Sequence, residues 1–301
     1  MEKICVLMST YNGEKYLDEQ IQSIINQEGV NVQLLVRDDG STDHTTQILQ
    51  KYQDNGFLNW YTGESKGCAM SFMDLIDRAP ECEYYAFSDQ DDWWEPKKLL
   101  VALNRLSSFD KSKSALYFSR TELVDSDLRT IKQRSRRLFQ KLNIPAALII
   151  NNVGGLTMVF NRYLVERLRE YHPGYVSMHD SWVYKVCLVT GGQIFADEDS
   201  YVKYRQHGNN VLGGTKNYKR TWTRRIKNIT DAPCYRSRGA KELRVGYGTY
   251  MNDKDKKMVT ALSDYKKKMR YRLYLLLNPR ASTPFLFYTL YFKLAVLFGL
   301  F

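Results

Sequence analysis

Residues 89–92 (Asp-Gln-Asp-Asp, the acidic turn) carry the strongest chemical signal in this sequence. They follow residues 84–88, an apolar run typical of a buried strand, and precede Pro96, which suits the first turn of a helix. Carboxylates at the carboxyl end of a strand lie where open α/β sheets bind ligands. Their mutual repulsion calls for a counter-charge, which a divalent cation holding a phosphate would supply. The alternative is a solvated acidic turn covered by two tryptophans.

Two earlier strands are predicted from apolar runs at residues 4–8 and 32–36, each ending in a polar turn. Apolar residues at helical spacing separate these runs. Alternating strands and helices predict an α/β fold with a mostly parallel central sheet and helices on both faces. The glycine patterns of dinucleotide dehydrogenases and P-loop ATPases do not occur, which argues against both classes.

The turn after the second predicted strand contains Asp38 and Asp39. A carboxylate at such a strand end can accept the imide N–H of a pyrimidine base. The acidic turn, at the end of a later strand, can bridge to a diphosphate through a metal ion. The two strand ends together are therefore suited to a nucleotide.

Three segments, taken in order, resemble the inverting family 2 glycosyltransferases. They are residues 9–12 (Ser-Thr-Tyr-Asn), residues 36–43 (Val-Arg-Asp-Asp-Gly-Ser-Thr-Asp), and the acidic turn with Pro96. The resemblance covers roughly residues 3–215 and implies a Rossmann-like nucleotide-diphospho-sugar transferase fold. We expect a glycosyltransferase domain at 1–215, with a nucleotide-sugar half at 1–110 and an acceptor half at 111–215.

The same resemblance implies the residues that bind the donor. Tyr11 would stack on the nucleotide base, and Asp39 would accept the base N–H with Ser9 nearby. Asp38 is expected to brace the turn. A role for Tyr11 in core packing is the alternative.

A metal site for Mg²⁺ or Mn²⁺ is implied next to the donor. Asp91 would bind the ion, and Asp89 would contact the ribose or the metal-bound diphosphate, whereas Asp92 is either a further contact or a helix cap. His207, at a predicted strand end, is expected to be a second metal ligand, although a structural histidine is the alternative. Arg205 would neutralise charge on the leaving group.

Asp180 is the candidate catalytic base. It stands at a loop-to-helix junction, where an N-cap carboxylate is the alternative. An inverting transfer needs a carboxylate opposite the leaving diphosphate to take the proton of the attacking hydroxyl, and the resemblance places that group here. His179 and Trp182 are expected to contact the acceptor.

Residues 179–182 (His-Asp-Ser-Trp) and 204–210 (Tyr-Arg-Gln-His-Gly-Asn-Asn) resemble the rhamnosyltransferase branch that builds bacterial surface polysaccharides. This implies dTDP-L-rhamnose as the donor and a growing, polyprenyl-linked saccharide of the cell wall or capsule as the acceptor. A UDP-hexose donor is the alternative.

A basic segment predicts an extension after the enzyme domain. Residues 216–280 hold nineteen Lys and Arg against five Asp and Glu, a balance of +14, so the rest of the chain is net negative within the total of +11. The segment is expected to be mostly helical, and residues 285–301 are an apolar run interrupted only by Lys293. We expect an interfacial helix on an anionic membrane rather than a span. A basic nucleic-acid-binding module and a helix packed on the protein itself are the alternatives.

The amino-acid composition indicates in which cellular compartment the protein works. The chain has 301 residues, 44% hydrophobic, and five scattered cysteines without a C-x-x-C pair, which favours a reducing environment over a disulfide framework. Residues 1–20 lack the pattern of a secretion signal. We therefore expect a cytoplasmic protein, peripheral on the inner face of the plasma membrane, that does not bind nucleic acid.

Overall fold

The computed structural model of the chain describes residues 2–132, 142–151, 153–207 and 235–301. In these residues nine strands form one sheet: β1 Lys3–Thr10, β2 Asn31–Asp38, β3 Leu58–Thr62, β4 Tyr84–Ser88, β5 Trp93–Trp94, β6 Ala115–Val124, β7 Thr130–Lys132, β8 Val159–Asn161 and β9 Gln193–Arg205. Helices before residue 208 are α1 Leu17–Ile25, α2 Thr45–Asp54, α3 Cys68–Arg78, α4 Lys98–Leu106, α5 Ile144–Ile149, α6 Arg162–Arg169 and α7 His179–Val189, with a 3₁₀ turn at Gly155–Thr157. The helices after it are α8 Tyr235–Tyr247, α9 Asp253–Asp264, α10 Met269–Leu277 and α11 Leu286–Leu297.

The strand order is β3-β2-β1-β4-β8-β6-β9-β5, with β7 paired to β6. The first four strands in this order are parallel, as the alternation of strands and helices predicts. The short strand β8 is antiparallel to both β4 and β6, and β6 is parallel to β9. The α/β class is confirmed, and the second half makes the sheet mixed.

Both faces of the sheet are covered by helices. Along β1, Ile4 and Val6 contribute to one buried cluster, whereas Cys5 and Leu7 contribute to the other. Helices α1 and α4 complete the first cluster, and α3, α6 and α7 pack on the other face. This alternation is why the central strands are nearly continuous apolar runs in the sequence.

The polar turns meet because of the register of the parallel strands. Thr10, the last residue of β1, is opposite Asp38, the last residue of β2. On the other side, Met8 of β1 is opposite Ser88 of β4. The turns that follow β1, β2 and β4 therefore leave the sheet at the same edge.

The four helices from α8 to α11 pack on the cluster that lies beneath α7. The ring of Tyr247 in α8 lies 5.9 Å from that of Trp182 in α7, and Phe292 of α11 is buried in the same cluster. The expected domain boundary at 215, residues 216–234 of the basic extension and the Gly-Asn-Asn of the 204–210 motif all lie outside the described residues. In the described part of the chain, each helix is too short or too polar to cross a membrane.

Candidate active site

A cavity of about 830 Å³ opens where the turns after β1, β2 and β4 meet. Its size is in the range of small-molecule sites. Eight of the ten site residues predicted from the sequence line it: Ser9, Tyr11, Asp39, Asp89, Asp91, His179, Asp180 and His207. Arg205 and Trp182 are not among the lining residues.

Asp39 lies at one end of the cavity and is nearly buried. Ser71 of α3 donates a hydrogen bond to its Oδ2. The Nε atom of Arg37 lies 3.1 Å from its Oδ1, but this oxygen has no aligned hydrogen bond within the described residues. Ser71 and Arg37 therefore hold the Asp39 side chain in place at the cavity wall.

Asp38 has the bracing role expected for it. Its Oδ2 accepts the backbone N–H groups of Gly40 at 3.1 Å and Ser41 at 2.9 Å. Its Oδ1 accepts the hydroxyl of Thr10 at 3.0 Å. The turn after β2 is therefore tied to the end of β1.

Tyr11 is 55% exposed at the cavity, so the structure does not place it in the core. The side-chain amide of Gln90 fixes its backbone: Tyr11 N–H donates to Gln90 Oε1 at 2.9 Å, and Gln90 Nε2 donates to the Tyr11 carbonyl at 3.1 Å. A Cβ at Gly13 would approach Gln90 Oε1 to 2.3 Å, so glycine leaves room for this clamp. Sequence reasoning gave Gln90 no role, since an amide in an acidic turn carries no distinctive signal.

Asp91 and His207 are in contact. His207 Nε2 lies 2.8 Å from Asp91 Oδ2, and Tyr16 of the loop before α1 lies beside the histidine ring at 5.2 Å between centroids. Burial, followed by the charges of Asp91 and Asp180, raises the pKa of Asp89 to about 7. The carboxylates of the acidic turn therefore repel one another, and nearby positive groups do not fully neutralise them.

The donor set suits a divalent cation shared with a ligand. Carboxylate oxygen and imidazole nitrogen together suit Mn²⁺, and carboxylate oxygen suits Mg²⁺. Within the described residues, no three His, Cys, Asp or Glu side chains converge as a complete protein-only centre. Asp91 and His207 are therefore two candidate ligands, and a metal that also binds diphosphate oxygens needs few ligands from the protein.

Asp92 faces the interior of the protein. It is fully buried, and its Oδ1 accepts the backbone N–H of Arg205 at 3.1 Å. Burial, then repulsion from Asp91 and Asp89, raises its pKa well above the usual range. Helix α4 begins at Lys98 with Lys97 as its cap residue, so Asp92 is not that helix cap.

Arg205 is buried beneath the acidic turn. Its Nε donates to the Asp91 carbonyl at 3.0 Å, and one terminal nitrogen is 2.6 Å from Glu19 Oε2. The guanidinium also lies over the ring of Tyr16, 4.3 Å from its centroid. The structure does not bring this cation to the cavity surface, because Arg205 is on the inward face of β9.

Asp180 is buried in the first turn of α7 and lines the cavity. The helix begins at His179 after Met178, so Asp180 is not its N-cap residue. Asn151 Nδ2 donates to its Oδ1 at 3.1 Å, and the backbone N–H groups of Ser181 and Gly155 also bond to the carboxylate. Burial nevertheless raises its pKa to about 6, which suits a general base near neutral pH.

His179 lines the cavity as an aromatic wall. Its ring stacks on Phe72 at 3.9 Å, and neither ring nitrogen has a partner within the described residues. Burial lowers its pKa to about 3, so the ring is neutral at physiological pH. A Cβ at Gly155 would approach His179 Nε2 to 2.3 Å, which accounts for glycine at this position.

Trp182, one helical turn later, is buried against Tyr247 rather than in the cavity. Lys15, by contrast, is an exposed cation that does line the cavity, with its Nζ 4.8 Å from the centre of the Tyr16 ring. The sequence pattern places Lys15 on the polar face of α1 and gives no other signal. In the structure Lys15 precedes α1, and the turn there places it on the cavity wall.

Comparisons with known proteins agree with this geometry. The family model described as glycosyl transferase family 2 matches residues 5–169. The chain is 28% identical over 229 residues to dTDP-rhamnosyl transferase RfbG of Shigella flexneri, covering 72% of this chain and 77% of the relative. It is 25% identical over 222 residues to putative teichuronic acid biosynthesis glycosyltransferase TuaG of Bacillus subtilis, covering 73% and 85%.

Among solved structures, the fold is similar to that of S. aureus TarS 1–349 in complex with UDP-GlcNAc. The TM-score is 0.60 at 17% sequence identity, and the match covers 92% of this chain and 76% of the TarS chain. At this identity the likeness establishes the fold. The expected nucleotide-diphospho-sugar transferase architecture is thereby confirmed.

Proposed function

Because the chain belongs to glycosyl transferase family 2, we propose that it is an inverting glycosyltransferase that uses a nucleotide-sugar donor and a divalent cation. One observation carries the proposal. A single cavity brings together Asp39, the acidic turn and the buried base candidate Asp180, which come from three separate parts of the chain. These are a base-binding group, a diphosphate-binding group and a proton acceptor.

The donor is dTDP-L-rhamnose, and the acceptor is a growing, lipid-linked polysaccharide of the bacterial surface. The similarity to RfbG, which is named a dTDP-rhamnosyl transferase, supports the donor. TuaG, named for teichuronic acid biosynthesis, supports a surface polysaccharide as the product. Transfer to a lipid-linked acceptor would place the enzyme in the cytoplasm, peripheral on the inner face of the plasma membrane.

Donor recognition starts from the turns after β1 and β2. The exposed ring of Tyr11, with its backbone clamped by Gln90, offers a face for stacking on the base. The Asp39 side chain, which lines the cavity, would accept the N3–H of thymine. The Tyr11 backbone and the Asp39 side chain are held in place before the donor binds, which favours its orientation.

The diphosphate would lie against the acidic turn. Asp91 and His207 would hold Mg²⁺ or Mn²⁺, which screens the diphosphate charge when bound, and Asp89 would support the donor from beside them. Lys15, an exposed cation that also lines the cavity, would contact the leaving diphosphate in the role that the sequence assigns to Arg205. Arg205 instead fixes the position of Asp91 from below.

The chemical step is a single displacement. The acceptor hydroxyl oxygen forms a bond to the anomeric carbon while the bond from that carbon to the diphosphate oxygen breaks, and the diphosphate leaves with the electron pair. Asp180 takes the hydroxyl proton, and Asn151 and the backbone N–H of Gly155 hold its carboxylate in place. His179 is neutral and forms a wall of the acceptor side.

A panel of nucleotide-sugars tests the proposal. Each donor is scored with and without Mn²⁺ for thermal stabilisation and for hydrolysis or transfer. We expect dTDP-L-rhamnose to stabilise the protein most and to turn over in a metal-dependent way. A preference for a UDP-hexose would contradict the rhamnose assignment, and absence of turnover with every donor would contradict the enzymatic one.

A further inference from the structure

Helix α11 presents an apolar face to solvent. Five large side chains on it and that of Phe298, the residue after it, are between 48% and 73% exposed: Leu286, Phe287, Leu290, Leu294, Leu297 and Phe298 (the apolar stripe). At about 100° per residue, these positions fall within an arc of roughly 120°. A continuous stripe of this kind differs from the scattered apolar residues that are normal on a protein surface.

The opposite face of α11 is packed on the protein. Phe292, Ala295 and Val296 are buried in the main cluster. Lys293, the only charged residue between 285 and 301, is turned inward, and its Nζ donates to the carbonyls of Leu275 at 3.0 Å and Asn278 at 3.3 Å. The apolar stripe therefore lies on a helix whose other face is packed on the protein. The charge of Lys293 lies on that other face and does not interrupt the stripe.

Basic residues border the stripe. Residues 266–272 contain five Lys and Arg and no acidic residue. A Cβ at Gly299, next to the end of the stripe at Phe298, would lie 3.6 Å from a terminal nitrogen of Arg272 and 3.9 Å from Cε of Lys266. The apolar surface and the positive charge thus form one continuous region.

We propose that this region docks the protein on an anionic membrane, with α11 lying in the plane of the lipid interface. Twelve residues of helix are about 18 Å long, which suits a helix lying on a bilayer rather than crossing it. The bordering cations would contact the lipid headgroups. A second copy of the chain is the less suitable occupant, because pairing two stripes would bring like charges together. The inference rests on the proposed function in that a lipid-linked acceptor would lie in the same membrane.

Vesicle co-sedimentation of the full chain tests the proposal. The probes are phosphatidylcholine vesicles with and without about one-third phosphatidylglycerol. We expect binding to the anionic vesicles, reduced at least about tenfold by Leu290→Glu with Leu294→Glu. The matched control is Phe57→Glu with Ile131→Glu, since these side chains are 51% and 53% exposed, as against 53% and 55% for the two leucines. The control should bind as the unaltered protein does.

The basic border is tested separately. Lys266→Gln with Lys267→Gln should weaken binding to anionic vesicles roughly tenfold or more and should make it less sensitive to salt. Thermal unfolding of each variant verifies its folding. Equal binding of the stripe variant and the control would overturn the proposal. A concentration-dependent dimer of the unaltered protein that the stripe variant abolishes, without vesicle binding, would also overturn it by showing a second copy as the occupant.

Turnover of the nucleotide-sugar in solution separates this proposal from the proposed function. The stripe variant should turn over donor with a water-soluble acceptor as the unaltered protein does, because Leu290 and Leu294 do not line the cavity. Turnover without vesicle binding would overturn the docking proposal alone. Vesicle binding without turnover of any donor would support docking and contradict the proposed function.

Discussion

The imidazole Nε2 of His207 lies 2.8 Å from the carboxylate Oδ2 of Asp91, although the two residues are 116 positions apart. The pairing of β5 with β9 produces this contact, since Trp93 is opposite Lys203 and Trp94 is opposite Val202. The hydrogen bond from Arg205 N–H to Asp92 then fixes the end of β9 beside the acidic turn. The proposed metal site is thus built by a two-residue strand.

Loss of either member of this pair should weaken cation binding. Asp91→Ala should abolish the thermal stabilisation that Mn²⁺ adds in the presence of dTDP-L-rhamnose. His207→Ala should raise the Mn²⁺ concentration needed for it roughly tenfold or more, because an imidazole ligand is lost. His44→Ala is the matched control, since its ring is exposed and lies 2.7 Å from the carboxylate of Glu14. Equal Mn²⁺ titrations for His207→Ala and His44→Ala would exclude His207 as a ligand.

The rate should depend on the ionisation of Asp180. Burial raises its pKa to about 6, and a base must be ionised to accept a proton. Transfer with saturating metal should therefore fall about tenfold per pH unit as the pH drops below about 6. His179 does not contribute in this range, because its pKa is lowered to about 3. A rate that stays level down to about pH 4.5 would contradict the assignment of Asp180.

The same burial predicts a gain in stability when the charge is removed. A carboxyl group whose pKa is higher in the folded than in the unfolded protein adds to the free energy of unfolding when it is protonated. This contribution is complete below about pH 4, near the pKa of the unfolded state. That contribution is lost as the pH rises through about 6. Asp180→Asn should therefore increase the free energy of unfolding by about 1–2 kcal/mol at pH 8 relative to the unaltered protein, and by less at pH 4. Denaturant unfolding of both proteins at both pH values measures this gain. A gain that is smaller at pH 8 than at pH 4 would contradict the prediction.

Substitutions of Arg205 and Lys15 should have different effects, the first on stability and the second on the rate of transfer. Arg205→Lys keeps the charge but loses the fork that bonds the Asp91 carbonyl and Glu19, so it should cost about 2–4 kcal/mol of stability. Lys15→Gln, on an exposed side chain, should change stability by no more than about 0.5 kcal/mol and lower kcat about tenfold or more. Unfolding curves and kcat for both variants measure the split. The reverse outcome would restore Arg205 as the residue at the diphosphate.

Residues at strand ends were accessible to sequence reasoning. Asp39, Asp91 and His207 each follow an extended apolar or alternating run, and the turns after parallel strands meet at one edge. The predicted positions depend on this rule, and the structure places all three on one cavity. Their chemical roles stay predictions.

The direction in which a side chain points could not be predicted from the sequence. Arg205 lies on the inward face of its strand, and Trp182 lies on the buried side of α7, yet neither residue type reveals which way it faces. Gln90 acts through two hydrogen bonds to Tyr11, and Ser71 donates one to Asp39. These partners are distant in sequence, so the contacts leave no periodic pattern. The antiparallel direction of β8 was also hidden, because a three-residue strand has too short a pattern to indicate direction.

Asp180→Asn gives the most direct test of the proposed mechanism. Donor affinity is measured by thermal stabilisation with dTDP-L-rhamnose and Mn²⁺, and transfer to the acceptor is measured in the same samples. The isosteric amide keeps its contact with Asn151 through the carbonyl oxygen but cannot take a proton, so donor binding should persist while transfer falls at least about a thousandfold. Transfer by Asp180→Asn at the rate of the unaltered protein would contradict the account.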